Sequence, residues 1–227
     1  MRPQEAETLA SWVRDLRLPA GSLCLNIGSS TKVFREVDQP HISDRFIRPL
    51  EASGMRFIHC DMKPDPGVDE VGDILDPEFR ASLKRHGARL IICSNLLEHL
   101  TNPGEFARAC GDLVVEGGYG LFSVPLSYPY HPDPIDTMLR LKPHELAALL
   151  PGWTVIRSCE LEAGNYWKDL QEVDDGIRRL FHQLARVAVP IYRRKNWRAN
   201  ASRLRWLFRS YRQSIVLVRK PAEGSEA

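Results

Sequence analysis

The chain has 227 residues, a formal net charge of +2, 43% hydrophobic residues and 26% charged residues. That length suits one large α/β domain, and the composition excludes a disordered chain, a coiled coil and a collagen-like repeat. No window of about 18 apolar residues is present, and the N-terminus lacks the apolar core of a signal peptide. We therefore expect a soluble, cytoplasmic protein with neither a membrane-spanning helix nor an export signal.

Charge is distributed unevenly along the chain. Residues 178–212 contain eleven Lys or Arg and no Asp or Glu, so the remainder has 20 bases against 29 acids. The five cysteines, at positions 24, 60, 93, 110 and 159, form no CxxC pair. Reduced core thiols are therefore expected rather than a zinc knuckle. No metal-ligand cluster is evident in the sequence, and a metal-independent reaction is the expectation.

Short apolar runs alternate with amphipathic segments along most of the chain. The runs predict strands at 23–27, 57–60, 89–93, 119–124, 153–159 and 213–219. Helical spacing, Pro at a first turn and a Gly stop predict helices at 4–17, 77–86, 104–115 and 142–150. This alternation predicts an α/β fold with a mostly parallel sheet covered by helices on both faces.

Polar residues and a glycine follow several of these strands. Gly28 and Ser29 come directly after the first strand, and Asp61 ends the second. Asp73 and Ile74 follow a Pro- and Asp-rich stretch, and Ser94 and Asn95 end the next strand. Ligands of open α/β sheets bind at the carboxyl ends of the strands, so this order of residues predicts a ligand site there.

The sequence at these strand ends resembles the class I S-adenosylmethionine-dependent methyltransferases, in their small-molecule and glycan-type branch. The resemblance covers about residues 20–160, and the matching runs are LCLNIGSST, FIHCDMK, VGDILD, IICSNLLEHLTNP and GGYGLFSVP. It implies a Rossmann-like seven-stranded sheet and S-adenosyl-L-methionine as cofactor. Together with the pattern of elements, this predicts one methyltransferase domain over 1–227, divided into an N-terminal helix (1–20), a cofactor-binding core (21–160), a basic helical insertion (161–212), a last strand (213–219) and a polar tail (220–227).

The resemblance also assigns roles to the residues at the strand ends. It places Gly28 and Ser29 beside the amino-acid part of the cofactor, with Ser94 and Asn95 near the methionine moiety. Asp61 would bind the ribose, and Asp73 with Ile74 would bind the adenine. The family's glycine-rich loop is altered, since Asn26 replaces its acid and Ser30 and Lys32 occupy two glycine positions. A non-catalytic protein of the same fold, binding a partner or an anionic membrane, is therefore the alternative, whereas a nicotinamide-dependent oxidoreductase is disfavoured because GxGxxG is absent.

A stiff loop rich in proline and aromatic residues follows the strand that ends at Val124. Its candidate substrate contacts are Tyr128, Tyr130 and Arg140, the last for an anionic group. A hydroxyl acceptor must lose a proton, so His131 is the candidate base, with Asp136 either orienting it or serving as the base. The alternative is that His131 caps the loop and that Asp136 pairs with Arg140 as a structural ion pair. The expected acceptor is a small polar molecule, such as a sugar or a lipid-linked glycan, methylated on oxygen rather than nitrogen.

The basic residues at 178–212 alternate with aliphatic and aromatic residues. Three interpretations stay open: a helical cap on the domain, an interfacial helix on an anionic membrane, and a nucleic-acid surface. No RNA-binding motif is visible, which makes nucleic acid the least favoured. A peripheral location at the inner membrane surface is the expectation that goes with the second interpretation.

Overall fold

The computed structural model describes residues 1–131, 135–172, 175–188 and 204–222. Its centre is a seven-stranded sheet whose strands are listed here in chain order: β1 (Leu23–Ile27), β2 (Arg56–Asp61), β3 (Glu70–Val71), β4 (Ala88–Ser94), β5 (Val114–Ser127), β6 (Thr154–Glu162) and β7 (Arg212–Arg219). Their spatial order is β3-β2-β1-β4-β5-β7-β6. The first five strands are parallel, and β7 runs antiparallel to both of its neighbours.

Helices precede or connect most of these strands. They are α1 (Pro3–Asp15), α2 (Pro40–Ile42), α3 (Arg48–Ala52), α4 (Pro77–Lys84), α5 (Pro103–Asp112), α6 (Pro143–Ala147), α7 (Tyr166–Gln171) and α8 (Gly176–Ala188). Two π-helical turns, Phe34–Asp38 and Ser43–Ile47, flank α2. Two short 3₁₀ turns, Leu97–His99 and Arg205–Leu207, complete the described elements. Within the described ranges, no helix has the length and apolar character needed to cross a bilayer.

Each face of the sheet packs against its own set of helices. On one face, Leu25, Ile91 and Phe122 pack with side chains of α4, α5 and α6. On the other face, residues of opposite parity, such as Cys24 and Leu90, pack with α1 and with the helical segment over 34–52. Side chains alternate between the two faces of a strand, so continuous apolar runs are required when both faces are covered. The predicted two-sided α/β sheet is confirmed.

Four of the five cysteines are buried in this core. Cys24, Cys60 and Cys93 lie on β1, β2 and β4, and Cys110 lies on α5. Burial raises the pKa of Cys60 to about 12 and raises the pKa of Cys24 and Cys110 as well. These thiols are free, and they act as small apolar side chains in the sheet and its covering helix.

Several predicted boundaries were wrong. The helix predicted over 104–115 ends at Asp112, because Val114 already pairs with Ala88 of β4 at the start of β5. The β-branched residues Val114 and Val115 favour a strand over a helix. The helix predicted over 142–150 ends at Ala147. The predicted insertion also includes sheet residues, since β6 extends to Glu162 and β7 begins at Arg212.

Two elements had no counterpart in the prediction. Strand β3 has only two residues, too few for a periodic signal. The helical segment over 34–52 is interrupted by Pro40 and Pro49, yet it buries Phe46 and Leu50 against the sheet. It is a covering element on that side of β1 and β2.

Helix α1 is fastened to the ends of β4 and β5 by one buried carboxylate. Glu5 is fully buried, and its Oε1 accepts hydrogen bonds from Ser94 Oγ at 2.9 Å, Asn95 Nδ2 at 2.9 Å and Ser123 Oγ at 2.6 Å. Its Oε2 accepts the backbone N–H of Arg2 at 3.0 Å. A buried carboxylate is tolerable only when donors satisfy it, and four donors do so here.

We expect Glu5→Ala to lower the free energy of unfolding by about 3 kcal/mol or more, because it leaves buried hydroxyl and amide donors without an acceptor. Glu7→Ala is the matched control, since Glu7 lies two residues along the same helix in an exposed ion pair with Arg45. The control should change stability by no more than about 1 kcal/mol. Urea unfolding followed by circular dichroism measures both, and equal midpoints for the two variants would contradict the role of Glu5.

Candidate active site

The turn after β1 is closely packed between two other strand ends. Gly28 has φ +69°, and its N–H and that of Ser29 both donate to the Cys60 carbonyl, at 2.9 and 3.1 Å. A Cβ at Gly28 would lie 2.7 Å from Leu96 Cδ2. The left-handed backbone favours glycine here, and a Cβ would also require the end of the Leu96 side chain to move.

The residue at the altered glycine position keeps a glycine-like backbone. Ser30 has φ +55°, and its N–H donates to Asp61 Oδ2 at 2.8 Å. The buried Arg35 donates to the carbonyls of Ser29 at 3.0 Å and Gly67 at 2.7 Å, and it also donates to the carbonyl of Ser30. This guanidinium holds in place a turn that glycines would otherwise form more easily. Sequence reasoning missed Arg35, because a single Arg in a polar stretch carries no pattern.

Acceptor atoms lie at the ends of β1 and β2. Asn26 Nδ2 donates to His59 Nδ1 at 3.1 Å, and its Oδ1 has no partner among the described residues. Burial, with the nearby Arg35 charge, lowers the pKa of His59 to about 4, so the ring is neutral at pH 7 and able to accept that bond. Asp61 accepts one N–H on each carboxylate oxygen, from Ser30 and from Lys63 at 3.3 Å. Each of its oxygens retains a lone pair for a further donor.

Asp73 and Ile74 follow β3, as the order of the strands implies. Asp73 Oδ1 accepts the N–H of Leu75 at 2.9 Å, which leaves Oδ2 without a partner in the described structure. The Ile74 side chain is only 4% exposed and packs in the core. What this segment offers to a ligand is therefore chiefly the carboxylate of Asp73 and the local backbone.

Ser94 and Asn95 are held by Glu5 rather than free to move. Asn95 adopts φ +51°, and its N–H donates to the Ser123 carbonyl at 2.9 Å. Sequence reasoning missed Glu5, although one signal was present: Glu5 precedes the buried residues Leu9 and Val13 at spacings of four on the apolar face of α1. An acid on the buried face of a helix requires buried donors, which the ends of β4 and β5 supply.

The predicted acceptor-side residues His131, Asp136 and Arg140 do come together. Asp136 accepts from Arg140 at 2.7 and 3.1 Å, and His131 Nδ1 lies 3.2 Å from Asp136 Oδ2. Burial alone would raise the pKa of Asp136, but its hydrogen bonds with Arg140 and two backbone N–H groups lower it to about 2. Burial lowers the pKa of His131, which favours a neutral imidazole. Arg140 is thus paired with Asp136, the ion pair that the sequence left open as the alternative.

The two tyrosines of this loop have different surroundings. Tyr128 is partly buried, with its ring centroid 5.2 Å from that of His131 and 4.8 Å from that of Tyr211. Tyr130 is 62% exposed. Tyr128 therefore belongs to an aromatic cluster with Trp206 and Tyr211 that closes the site on the side of the insertion, whereas Tyr130 stands at the rim.

A second acid, Glu98, lies beside His131 and was not singled out as a site residue. Glu98 is fully buried, and neither of its carboxylate oxygens has a hydrogen-bond partner among the described residues. Burial, with a further contribution from Glu5, raises its pKa to about 7. His99 Nε2 and His131 Nε2 lie 3.8 and 3.9 Å from Glu98 Oε1. Glu98 and His131 are far apart in the sequence, so spacing gave no indication of this contact.

Comparison of the sequence with protein-family models gives no match, and neither does comparison with curated proteins. Solved structures do match. The [4+2]-cyclase SpnF is 14% identical with a TM-score of 0.58, over 96% of this chain and 82% of that one. A putative methyltransferase from Bacillus halodurans is 13% identical with a TM-score of 0.53, over 94% and 99%. Coclaurine N-methyltransferase, bound to N-methylheliamine and SAH, is 12% identical with a TM-score of 0.56, over 94% and 70%.

These similarities span nearly the whole chain at low identity, so they bear on the fold and leave the reaction open. The seven-stranded, mostly parallel sheet agrees with the fold that the resemblance in the sequence implies. The chain has the Rossmann-like fold of the class I S-adenosylmethionine-dependent methyltransferases.

Proposed function

We propose that this protein transfers a methyl group from S-adenosylmethionine to an oxygen of a small polar acceptor. The observation that carries the proposal is the set of unsatisfied acceptor atoms at three adjacent strand ends, next to a histidine–carboxylate pair. Asn26, Asp61 and Asp73 follow β1, β2 and β3. The His131–Asp136 pair lies on the loop after β5.

The residues at the strand ends offer the hydrogen-bond acceptors that the cofactor requires. Its ribose hydroxyls, adenine amino group and ammonium group are all donors, and they require acceptors. Asp61 has spare lone pairs, while Asp73 Oδ2 and Asn26 Oδ1 have no partner in the described residues. Asn26 supplies an amide oxygen in place of the family's carboxylate, and therefore no charge.

When bound, the cofactor supplies an electrophilic methyl group, and the chain's residues do the rest. Glu5 fixes Ser94 and Asn95, so that the end of β4 is held in place before a ligand arrives. Asp136 accepts the backbone N–H of His131, and the Pro129 carbonyl accepts a hydrogen bond from His131 Nδ1, so that Nε2 is left to receive the proton of an acceptor hydroxyl. Tyr128 and Tyr130 border the acceptor side. A sugar-containing acceptor, with nitrogen as the less favoured target atom, remains the proposal for the substrate class.

The alternative is a non-catalytic protein of this fold, and the [4+2]-cyclase among the similar structures shows that the fold is not confined to methyl transfer. Cofactor binding distinguishes this alternative from the proposed function. It is therefore the first property to measure.

We expect Asp61→Asn to weaken binding of S-adenosylmethionine and S-adenosylhomocysteine by roughly 10- to 100-fold, because a neutral amide replaces a charged acceptor of two hydroxyls. Isothermal titration calorimetry on the full chain measures this. Asp65→Asn is the matched control, since Asp65 is exposed in the same loop and should leave the affinity unchanged. If the unsubstituted protein binds neither ligand at millimolar concentration, methyl transfer is excluded and the non-catalytic alternative is favoured.

We expect His131→Ala to lower turnover by about 10²-fold while leaving cofactor affinity unchanged, because the side chain acts on the acceptor. Release of S-adenosylhomocysteine over a panel of sugars and small hydroxylated molecules measures turnover. His144→Ala is the control, since His144 is exposed on α6. Equal rates for His131→Ala and the unsubstituted protein would remove His131 from the mechanism.

A specific observation also favours attachment to an anionic membrane through the basic segment. On α8, Ile177 and Phe181 are 69% and 67% exposed, and Leu184 is 43% exposed, so an apolar stripe of this helix faces solvent. Arg178 and Arg179 flank the stripe. An amphipathic helix with this arrangement can insert its apolar face among lipid headgroups. Residues 189–203 of the basic segment lie outside the described residues. Location at the inner membrane surface stays a prediction.

We expect the protein to cosediment with phosphatidylglycerol vesicles at low salt and to be released at high salt, because screening weakens attraction to the anionic surface. Phe181→Asp should reduce the bound fraction at least severalfold. Val37→Asp is the control, since Val37 is equally exposed, at 69%, on the helical segment after β1. Failure of the unsubstituted protein to bind either phosphatidylglycerol or phosphatidylcholine vesicles would exclude this attachment.

A further inference from the structure

The starting point is the carboxylate of Glu98, which is fully enclosed and yet has no hydrogen-bond donor among the described residues. Its backbone is fixed, because the Glu98 carbonyl accepts both the N–H and the hydroxyl of Thr137, each at 2.9 Å. Enclosed carboxylates are normally paired with a cation or satisfied by donors. A fixed carboxylate with no partner therefore needs an explanation.

Two imidazoles face this carboxylate. His99 Nε2 is 3.8 Å and His131 Nε2 is 3.9 Å from Glu98 Oε1, and one ligand atom from each of the three residues falls within 4.8 Å of the others. The two rings are nearly perpendicular, with centroids 5.3 Å apart. Ligand atoms around a metal with bonds of about 2.1 Å are about 3.4 Å apart in a tetrahedral site. The Glu98–histidine distances exceed that spacing by less than one ångström.

The other nitrogen of each ring is already engaged. His99 Nδ1 hydrogen-bonds to the Ile135 carbonyl and therefore carries its proton. His131 Nδ1 hydrogen-bonds to the Pro129 carbonyl at 3.2 Å, and it also lies 3.2 Å from Asp136 Oδ2, which pairs with Arg140. In a neutral imidazole this arrangement puts the lone pair on Nε2, and both Nε2 atoms lie near Glu98 Oε1, at 3.8 and 3.9 Å. Metal-ligating histidines characteristically give their second nitrogen to a carbonyl or carboxylate in this way.

We infer that Glu98, His99 and His131 bind a divalent transition-metal ion. Two imidazoles and one carboxylate suit Zn²⁺, Mn²⁺, Fe²⁺, Co²⁺ or Ni²⁺, whereas Mg²⁺ and Ca²⁺ prefer oxygen ligands alone. The His131 side chain is 33% exposed, so the cation would have an open side for water or for an acceptor oxygen. The inference goes beyond the proposed function and does not depend on it, because metal binding is measurable without cofactor or acceptor.

Metal binding would also change the role of His131. With its Nε2 lone pair on the cation, His131 is a ligand, and an acceptor hydroxyl on the open side is made more acidic by coordination. The Asp136–Arg140 pair then orients a ligand instead of a base. His131→Ala should lower turnover whether His131 acts as a base or as a metal ligand. Only a measurement of metal binding distinguishes these two roles.

The test is calorimetric titration of the EDTA-treated, dialysed full chain with Zn²⁺, with metal content measured after gel filtration. We expect one equivalent with micromolar or tighter affinity, at least 100-fold weaker in Glu98→Gln. His99→Ala and His131→Ala should each weaken it at least 10-fold, which keeps the inference testable if one variant fails to fold. Circular dichroism checks the fold of each. Glu105→Gln and His144→Ala, both at exposed positions, should bind as the unsubstituted protein does.

A second measurement uses Co²⁺, whose visible absorption depends on its ligands. Binding at the cluster should give d–d bands that are lost in Glu98→Gln and kept in Glu105→Gln. Zn²⁺ affinity unchanged by Glu98→Gln, or only weak binding that His144→Ala reduces, would show adventitious surface binding and overturn the inference. The absence of Zn²⁺, Co²⁺, Mn²⁺ or Ni²⁺ binding at millimolar concentration would do the same.

Discussion

The candidate site depends on a constraint of the sheet: five parallel strands end at one edge, and the chain order reverses between β1 and β4. In open α/β sheets the connections leave in opposite directions at such a reversal, and ligands bind there, beyond the carboxyl ends of the strands. The turn at Gly28 and the segment at Ser94–Asn95 lie at this point of the sheet. The residues after β2 and β3 extend the site to one side, and the loop after β5 extends it to the other. Residues from distant parts of the sequence meet there because the strands that precede them are parallel.

Buried charged groups hold this edge in shape. Glu5 accepts hydrogen bonds from residues of β4 and β5, and Arg35 donates hydrogen bonds to carbonyls that include those of the turn after β1. Each is enclosed, and each is satisfied by several hydrogen bonds, so the desolvation of its charge is offset. Arg2 connects the same region to the insertion, since it donates to the Ala163 carbonyl and pairs with Asp169. These residues place charged groups near the strand ends, whereas the packing on both faces of the sheet is mainly apolar.

The sequence predicts the sheet better than it predicts the site. Strands β1, β2 and β4 are apolar runs that end in turn-forming or polar residues, so both their existence and the residues at their ends were correctly placed. Strand β3 is too short to show a period, and prolines obscure the helical segment over 34–52. Glu5 and Arg35 act through contacts with distant strand ends, which no local pattern encodes. Likewise, Glu98 and His131 come together only because the loop after β5 folds back onto the 3₁₀ turn at Leu97–His99.

The buried cysteines can serve as probes of local unfolding in the sheet. Three neighbouring strands, β2, β1 and β4, each carry one enclosed thiol, and α5 carries a fourth that packs with Cys93 in the same face of the core. Enclosure suppresses the reaction of all four thiols with alkylating reagents, and the raised pKa of Cys24, Cys60 and Cys110 suppresses theirs further, because only an accessible thiolate reacts readily. The rate at which each thiol is modified under native conditions is therefore set by how often its strand or helix is exposed. Mass spectrometry of the labelled peptides would resolve those opening events strand by strand, without any substitution in the protein.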